Sequence, residues 1–368
     1  MRRFLAVLAA LLLGAPAAAQ EAPEWVGVWQ GRVGTYPVRL CIDVPGDGPA
    51  RGSYYYLAHL EPIDLGQADR EGGWIEFTPE DETAALWELA ELSSARLRGT
   101  WRQGRRSLPF SLTPIAWRES GLYLDGPCTS AAFMQPRLGG GRIVNEPGRI
   151  AGLAYTVHRY VPAGHFADDV AAQNFSFEPE QPGDAAIVEQ IATLVPMPGD
   201  AVDDDVWQCI AYGIAANGTD GSFEQSVEPR MAAGPYLTVE LRSGTYCGGA
   251  HPDYYGGHLT YDRTTGEEVN VDDWIGTPND DGAVAVPAEL RELVIDRWPT
   301  DPDLAECREV AAGKNYWAIE LRRTGLTLTP SFPHALQGCE VPVAVEWPDL
   351  MPFLDAEGRA GLARLRAE

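Results

Sequence analysis

The stretch YCGGAHPDYYGGHLTYDRTTGEEVNVDDW, residues 246–274, decides the fold of the second half of this chain. A strand of alternating polar and apolar residues ends at Tyr246, and another strand is under way by His258. Gly248 and Gly249 lie between them, where the chain must reverse, and glycine tolerates the positive φ that a sharp turn requires. The pattern therefore predicts two antiparallel strands joined at a glycine turn.

The residues after the glycines are predicted to form a binding surface at the end of the sheet. His251 and Pro252 follow the turn, and Tyr254 and Tyr255 are adjacent, so one of the two tyrosines should face solvent. Gly266 suits the left-handed position of a second hairpin turn and is predicted to be structural, as are the first two glycines. No catalytic role is assigned to these residues.

Six cysteines are present, and no two of them form a CxxC pair. Zinc sites and thioredoxin-type redox sites usually place their cysteines close in sequence, so three structural disulfides are predicted and no metal site. If each half of the chain keeps its own bridges, the first half has one possible pair, and in the second half pairs that tie a helix to a neighbouring strand are favoured. The predicted disulfides are Cys41–Cys128, Cys209–Cys247 and Cys307–Cys339.

The N-terminal residues 1–19 have the three zones of a Sec-type secretory signal peptide. Arg2 and Arg3 supply the charge, an apolar run extends from Phe4 to Leu13, and small residues precede an expected cleavage site after Ala19. The apolar run is shorter than the roughly 20 residues of a membrane-spanning helix, and no later segment is long enough. The sequence predicts a periplasmic or secreted bacterial protein without a membrane span in its mature form.

The chain carries 28 basic and 53 acidic residues, a formal net charge of −25. This acidity argues against nucleic acid and anionic membranes as partners, because both repel a negatively charged surface. It suits a basic secreted protein or a basic peptide as a partner. Solubility alone is an alternative explanation of the charge.

Two domains and a linker are predicted from the strand and helix signals. Residues 24–132 read as short alternating strands with local turns, which indicates an all-β small barrel or sandwich. Residues 133–149 include three consecutive glycines and lack periodicity, so they are predicted to be a linker. Residues 150–368 combine antiparallel hairpins with helices such as 184–194 and 203–215, which predicts an α+β domain with an antiparallel sheet and packed helices.

The usual catalytic motifs are missing from the sequence, and no cofactor is predicted. One alternative is a glycan-active hydrolase or deacetylase that uses His251 with nearby carboxylates, for which His258, Asp253 and Asp262 are also candidates. A second alternative is a structural envelope assembly module whose N-terminal β domain docks a partner through an edge strand.

Several motifs together resemble a family of bacterial extracytoplasmic domains of unknown function. They are Gly248-Gly249-Ala250-His251, Leu259-Thr260-Tyr261-Asp262 and Val271-Asp272-Asp273-Trp274, and the resemblance covers about residues 150–354. The family includes the lysozyme-binding region of a lysozyme-sensing anti-sigma factor and the N-terminal region of some peptidoglycan deacetylases. The resemblance implies an α+β sheet domain with a binding role. The leading hypothesis is a non-enzymatic envelope protein that binds a lysozyme-like muramidase or peptidoglycan.

Overall fold

A computed structural model describes residues 23–44, 48–67, 73–77, 84–119, 125–275, 277–278 and 284–367. The predicted signal peptide, residues 1–19, lies outside these ranges. Within them, no helix combines the length and the apolar character that crossing a membrane requires.

The first region is a closed barrel of eight antiparallel strands. Strand β1 pairs with β2 on one side and with β8 on the other, which closes the sheet and selects the barrel over the sandwich. The strands are β1 (Gly27–Val33), β2 (Tyr36–Asp43), β3 (Arg51–Tyr56), β4 (Ile63–Gln67), β5 (Gly73–Phe77), β6 (Leu86–Leu92), β7 (Leu97–Gln103) and β8 (Arg106–Ile115).

Two features of the barrel differ from the sequence predictions. Each of the eight described strands pairs on both sides, so none of them is the edge strand through which a partner was predicted to dock. Strand β4 was not predicted, because a five-residue segment holding Asp64 and Gly66 has a weak strand signal. The interior is filled by large side chains such as Trp29, Tyr54 and Trp87.

The second region is built on a six-stranded sheet in the order β14-β13-β12-β11-β10-β9. Its strands are β9 (Arg142–Ile150), β10 (Leu153–Val161), β11 (Val170–Ser176), β12 (Ser222–Ala233), β13 (Tyr236–Tyr246) and β14 (Asp253–Asp262). The sheet was predicted to be antiparallel, but β11 and β12 are parallel and the sheet is mixed. Two helices lie between them in sequence, and such a crossover returns the chain to its original direction.

Those two helices cover one face of the sheet. Helix α2 (Asp184–Leu194) has the predicted bounds, and α3 (Asp205–Asn217) is shifted by two residues from its predicted range of 203–215. The Asp204 side chain caps α3 by accepting from the backbone amide of Val206 at 3.1 Å. Buried side chains of both helices, including Trp207 and Ile191, join the core beneath the sheet.

The C-terminal part packs against the opposite face of β13 and β14. It contains a three-stranded sheet and four helices, and Tyr236 of β13 lies in its core with Trp274. The elements are α4 (Ala288–Asp296), α5 (Ala305–Ala312), β17 (Trp317–Leu321), β18 (Gly325–Pro330), β19 (Val343–Glu346), α6 (Trp347–Leu350) and α7 (Ala356–Leu365), and a small hairpin of β15 (Thr277–Pro278) and β16 (Val284–Ala285) precedes them.

Residues 133–149, predicted as a linker, are ordered in the structure and contribute to the core. Helix α1 (Ala131–Met134) buries Phe133 and Met134, and β9 occupies 142–150. Arg137 is fully buried and forms a bidentate ion pair with Asp220, at 2.7 and 2.5 Å. Tyr55 of the barrel donates its hydroxyl to the Phe133 carbonyl at 2.6 Å. One continuous apolar cluster therefore joins the barrel to the six-stranded sheet.

Three disulfides join the predicted pairs. Cys41 of β2 is bonded to Cys128, which lies in a short 3-10 helix beside α1. The other two bonds are Cys209–Cys247 and Cys307–Cys339. Cys209 of α3 is thereby fixed to the residue that follows β13, as predicted, whereas Cys307 of α5 is tied to a 3-10 turn and not to a strand.

Candidate functional site

The predicted binding residues lie on the loop that joins β13 to β14 and on the first residues of β14. Gly248 and Gly249 have φ angles of 92° and 108°, and Gly266 has 81°, so all three occupy the conformation for which glycine was predicted. The Cys209–Cys247 bond holds the loop against α3, and Asn217 at the end of α3 donates to Tyr246 Oη at 2.8 Å. Tyr246 Oη in turn donates to the Gly249 carbonyl at 3.0 Å.

We call His251, Pro252, Tyr254 and Tyr255 the rim. Both tyrosines are exposed, Tyr254 by 54% and Tyr255 by 61%, although only one was expected to face solvent. Adjacent residues of a strand point to opposite faces, and both tyrosine side chains reach solvent here. His251 Nδ1 lies 3.0 Å from the Pro252 carbonyl, and Gln337 donates to the Tyr254 carbonyl at 3.1 Å.

A small groove beside Tyr254 is lined with carboxylates. We call it the acidic groove; it has a volume of about 170 Å³. It is lined by Asp168, Asp169 and Glu224 together with Pro252 of the rim. The Tyr254 ring lies over Gly244, where a β-carbon would be 3.2 Å from its Cδ1 atom.

The electrostatics of the acidic groove favour a cationic ligand. Burial, followed by the neighbouring charges of Asp220 and Asp168, raises the pKa of Asp169 to about 6. A positive group entering the groove would offset this repulsion and favour the ionised carboxylate. An aromatic side chain next to such a groove is the kind of anchor found at protein interfaces.

The structure does not bring His251 together with the carboxylate at the far end of β14. Asp262 pairs with Tyr236 in the sheet register, at the opposite end of β14 from the rim. Burial would raise the pKa of Asp262, but hydrogen bonds from Thr264 and Arg364 outweigh it and the pKa is lowered. The ion pair to Arg364 is 2.6 Å long. Asp262 therefore has a structural partner of its own.

His258 lies in a different and more charged place, a cleft of about 340 Å³ between β13, β14 and the three-stranded sheet. We call it the charged cleft. Its Nε2 atom is 3.9 Å from Glu240 and 3.8 Å from Glu320. Burial lowers the pKa of His258, and the two carboxylates only partly offset this effect.

Arginines accompany both carboxylates of the charged cleft. Arg230 Nε lies 3.6 Å from Glu240 and 3.9 Å from Glu320, and Arg322 donates to Glu320 at 3.0 Å. Both carboxylates of the charged cleft are therefore already engaged by arginines. No group of His, Cys, Asp or Glu side chains arranged to hold a metal ion occurs in the part of the chain that the structure describes.

Sequence reasoning named His258 but not its partners. The opposition of Glu240 and His258 follows from the antiparallel register of the β13–β14 hairpin, which could be counted back from the glycine turn. Glu320 is carried by β17 in a separate sheet, so no local spacing indicates that it faces the histidine. Asp168 and Asp169 were likewise missed, because β11, which they precede, was not predicted.

Comparisons with known proteins found similarity among solved structures. No protein-family model and no curated protein matches this chain. Among solved structures, it is similar to a member of the DUF3298 family from Bacteroides fragilis, at 12% identity over 62% of this chain and 96% of that one, with a TM-score of 0.38. It is also similar to a DUF3298 family protein from Pseudomonas aeruginosa, at 14% identity over 60% and 95%, with a TM-score of 0.31.

Proposed function

We propose that this chain is a secreted, periplasmic, non-enzymatic binding protein of the bacterial cell envelope. Its partner would be a basic protein, a lysozyme-like muramidase, and the contact would be made by the rim and the acidic groove. The observation that carries the proposal is the exposed Tyr254 in the wall of a carboxylate-lined groove, with the exposed Tyr255 next to it on β14. The sequence resemblance of residues 150–354 to a lysozyme-binding domain agrees with it.

Charge and cysteine chemistry add to this proposal. A net charge of −25 steers a cationic protein toward the surface and disfavours other anions as partners. Peptidoglycan carries carboxylates on its peptides, so the charge favours a muramidase over the glycan as the ligand. Three disulfides suit a protein that works in an oxidising compartment.

Calorimetric titration of the protein from residue 20 onward with a purified lysozyme tests the proposal. We expect saturable binding that weakens as salt is raised and is lost in the double variant Tyr254→Ala and Tyr255→Ala. Ile143→Ala is a matched control, because Ile143 is 50% exposed on β9, at the opposite edge of the same sheet. Absence of binding, or equal losses in the rim variant and the control, would reject the proposal.

The alternative of a glycan-active hydrolase or deacetylase is decided by turnover. It predicts release of product from peptidoglycan by the wild-type protein and loss of that activity in His251→Ala. The placement of Asp262 beside Arg364 removes one of the carboxylates that this mechanism was to use. Sedimentation of the protein with insoluble peptidoglycan, without release of product, would indicate glycan binding in place of glycan turnover or muramidase binding.

A further inference from the structure

The barrel contains a second cavity, separate from the rim, at the end where β1 turns into β2 and β7 turns into β8. Its volume is about 410 Å³. Four aromatic side chains form much of its wall: Tyr36, Tyr54, Tyr56 and Trp101. Glu76 of β5 also lines it and is only 6% exposed. A carboxylate therefore lies at the inner side of an aromatic-walled pocket.

The Glu76 carboxylate is held by neutral donors. Tyr54 donates its hydroxyl at 2.6 Å, and the indoles of Trp87 and Trp101 donate at 2.9 and 2.5 Å, all to the same oxygen. Burial and the negative charge of Glu76 raise the pKa of Tyr54, so the phenol stays protonated and donates. Among the residues that the structure describes, no lysine, arginine or histidine forms an ion pair with Glu76.

A cation already lies over two of the rings at the mouth. The guanidinium carbon of Arg106 is 5.8 Å from the centre of the Tyr36 ring and 5.7 Å from that of Trp101. Both distances are within the range of cation–π attraction. Arg106 is an exposed residue at the start of β8, so its long side chain can leave without disturbing the barrel.

We propose that this cavity binds a small organic cation, an ammonium ion with apolar flanks. The charge lies toward Glu76 and the flanks lie against the tyrosine and tryptophan rings, as in other aromatic sites for ammonium groups. Arg106 competes with the ligand for the ring faces. The cavity shares no residue with the rim, so the test of ammonium binding and the test of the proposed partner are independent.

Calorimetric titration of the full-length mature protein with choline and with glucosamine tests the site, and N-acetylglucosamine serves as the uncharged match of glucosamine. We expect choline, glucosamine or both to bind, and N-acetylglucosamine to bind at least tenfold more weakly. Arg106→Ala should tighten binding about threefold, because a competing cation–π contact is removed. Arg105→Ala is the control, since Arg105 is exposed in the same turn and its loss changes the net charge equally.

Glu76→Gln should abolish ammonium binding while keeping an acceptor oxygen for the indoles. If this variant fails to fold, as judged by circular dichroism, the Arg106→Ala and Arg105→Ala comparison decides alone. The proposal is overturned if neither ammonium probe binds the wild type or Arg106→Ala, if the neutral sugar binds as tightly as its charged match, or if both arginine variants respond equally.

Discussion

Buried carboxylates are stabilised differently in the barrel and in the α+β part. In the barrel, Glu76 receives its hydrogen bonds from a phenol and two indoles. In the α+β part, Asp184 is fully buried against Arg263, with two contacts of 2.9 Å, and Asp220 faces Arg137. Neutral donors leave a negative charge available to a ligand, whereas an arginine cancels it and locks two segments together.

The proposed ligand site in the barrel differs in the same way from the buried ion pairs that hold distant segments of the chain together. Asp184 and Arg263 are 79 residues apart and fasten the start of α2 to the turn after β14. Arg137 and Asp220 are 83 residues apart and fasten the segment after the barrel to the segment before β12. Variants at these positions can therefore test whether the arginine–aspartate pairs stabilise the fold and whether the carboxylate with neutral donors binds a ligand.

The largest expected effect is at the buried ion pair. Arg137→Ala should lower the free energy of unfolding by about 3–5 kcal/mol, because Asp220 loses its partner in the interior. Urea unfolding followed by tryptophan fluorescence measures this loss. Arg98→Ala, which breaks an exposed 2.8 Å pair with Glu91, should cost less than about 1 kcal/mol. Similar losses in the two variants would show that burial does not distinguish the pairs.

A slightly smaller loss is expected in the barrel. Glu76→Ala should lower the free energy of unfolding by about 2–4 kcal/mol, since Tyr54 and two indoles are left without their acceptor. Glu76→Gln should recover at least half of that loss in thermal unfolding, because an amide oxygen still accepts. If the glutamine variant were as unstable as the alanine variant, the negative charge itself would be required for folding.

The third effect depends on pH and has opposite signs at two aspartates. The pKa of Asp169 in the folded protein is raised to about 6, above the value of about 4 for an aspartate in the unfolded chain. As the pH falls from about 6 to about 4, the folded protein therefore takes up a proton that the unfolded chain does not yet bind, and the free energy of unfolding rises. Asp169→Asn should therefore stabilise the protein by about 1–2 kcal/mol at pH 8 and change it little at pH 3. Urea unfolding at the two pH values measures this.

Asp184 provides the opposite case. Burial tends to raise its pKa, but hydrogen bonds from Arg263 and from the amides of Gln181 and Glu180 prevail, and the pKa is lowered. Its contribution is thus present above the unfolded-state pKa near 4 and is lost as the pH falls through the folded-state value. Asp184→Asn should destabilise the protein at pH 8 and much less in acid. Matching pH profiles in the two asparagine variants would contradict both assignments.

The smallest effect on stability is expected at the rim. Tyr255→Ala should change the free energy of unfolding by less than about 0.5 kcal/mol, because the side chain is 61% exposed. In the same variant, binding of the proposed basic partner should weaken at least tenfold, measured by calorimetry. A large stability loss would instead place Tyr255 among the structural residues.

Local features of the fold were predictable because their causes are local. The bounds of α2 and β13 follow from periodicity and from the residues that flank them. The expectation of three disulfides follows from cysteine spacing and the expected compartment, whereas their pairing rested on the assumption that each half of the chain keeps its own bridges. The glycine turn follows from conformational freedom at Gly248 and Gly249. The exposed tyrosines of the rim were found for the same reason, since they lie next to that turn.

The charged cleft, the acidic groove and the Glu76 cavity were not predictable in this way. Glu320 lies near His258 from another sheet, and the parallel pairing of β11 with β12 places Asp169 and Tyr254 in the wall of one groove. Barrel closure, which assembles the aromatic wall around Glu76, depends on the pairing of the first strand with the eighth.

The sequence by itself thus determined most of the strands and helices, the turn glycines, the expectation of three disulfides and the acidic charge, because each is encoded by residues near one another or by composition. Tertiary structure alone decided which carboxylates meet arginines, which meet neutral donors and which line a groove. The physical reason is that a buried charge is stabilised by the polar groups that the fold places within about 3 Å of it. The arginine partners of Asp220 and Asp184 lie 83 and 79 residues away from them in sequence, so no local sequence pattern indicates these pairs.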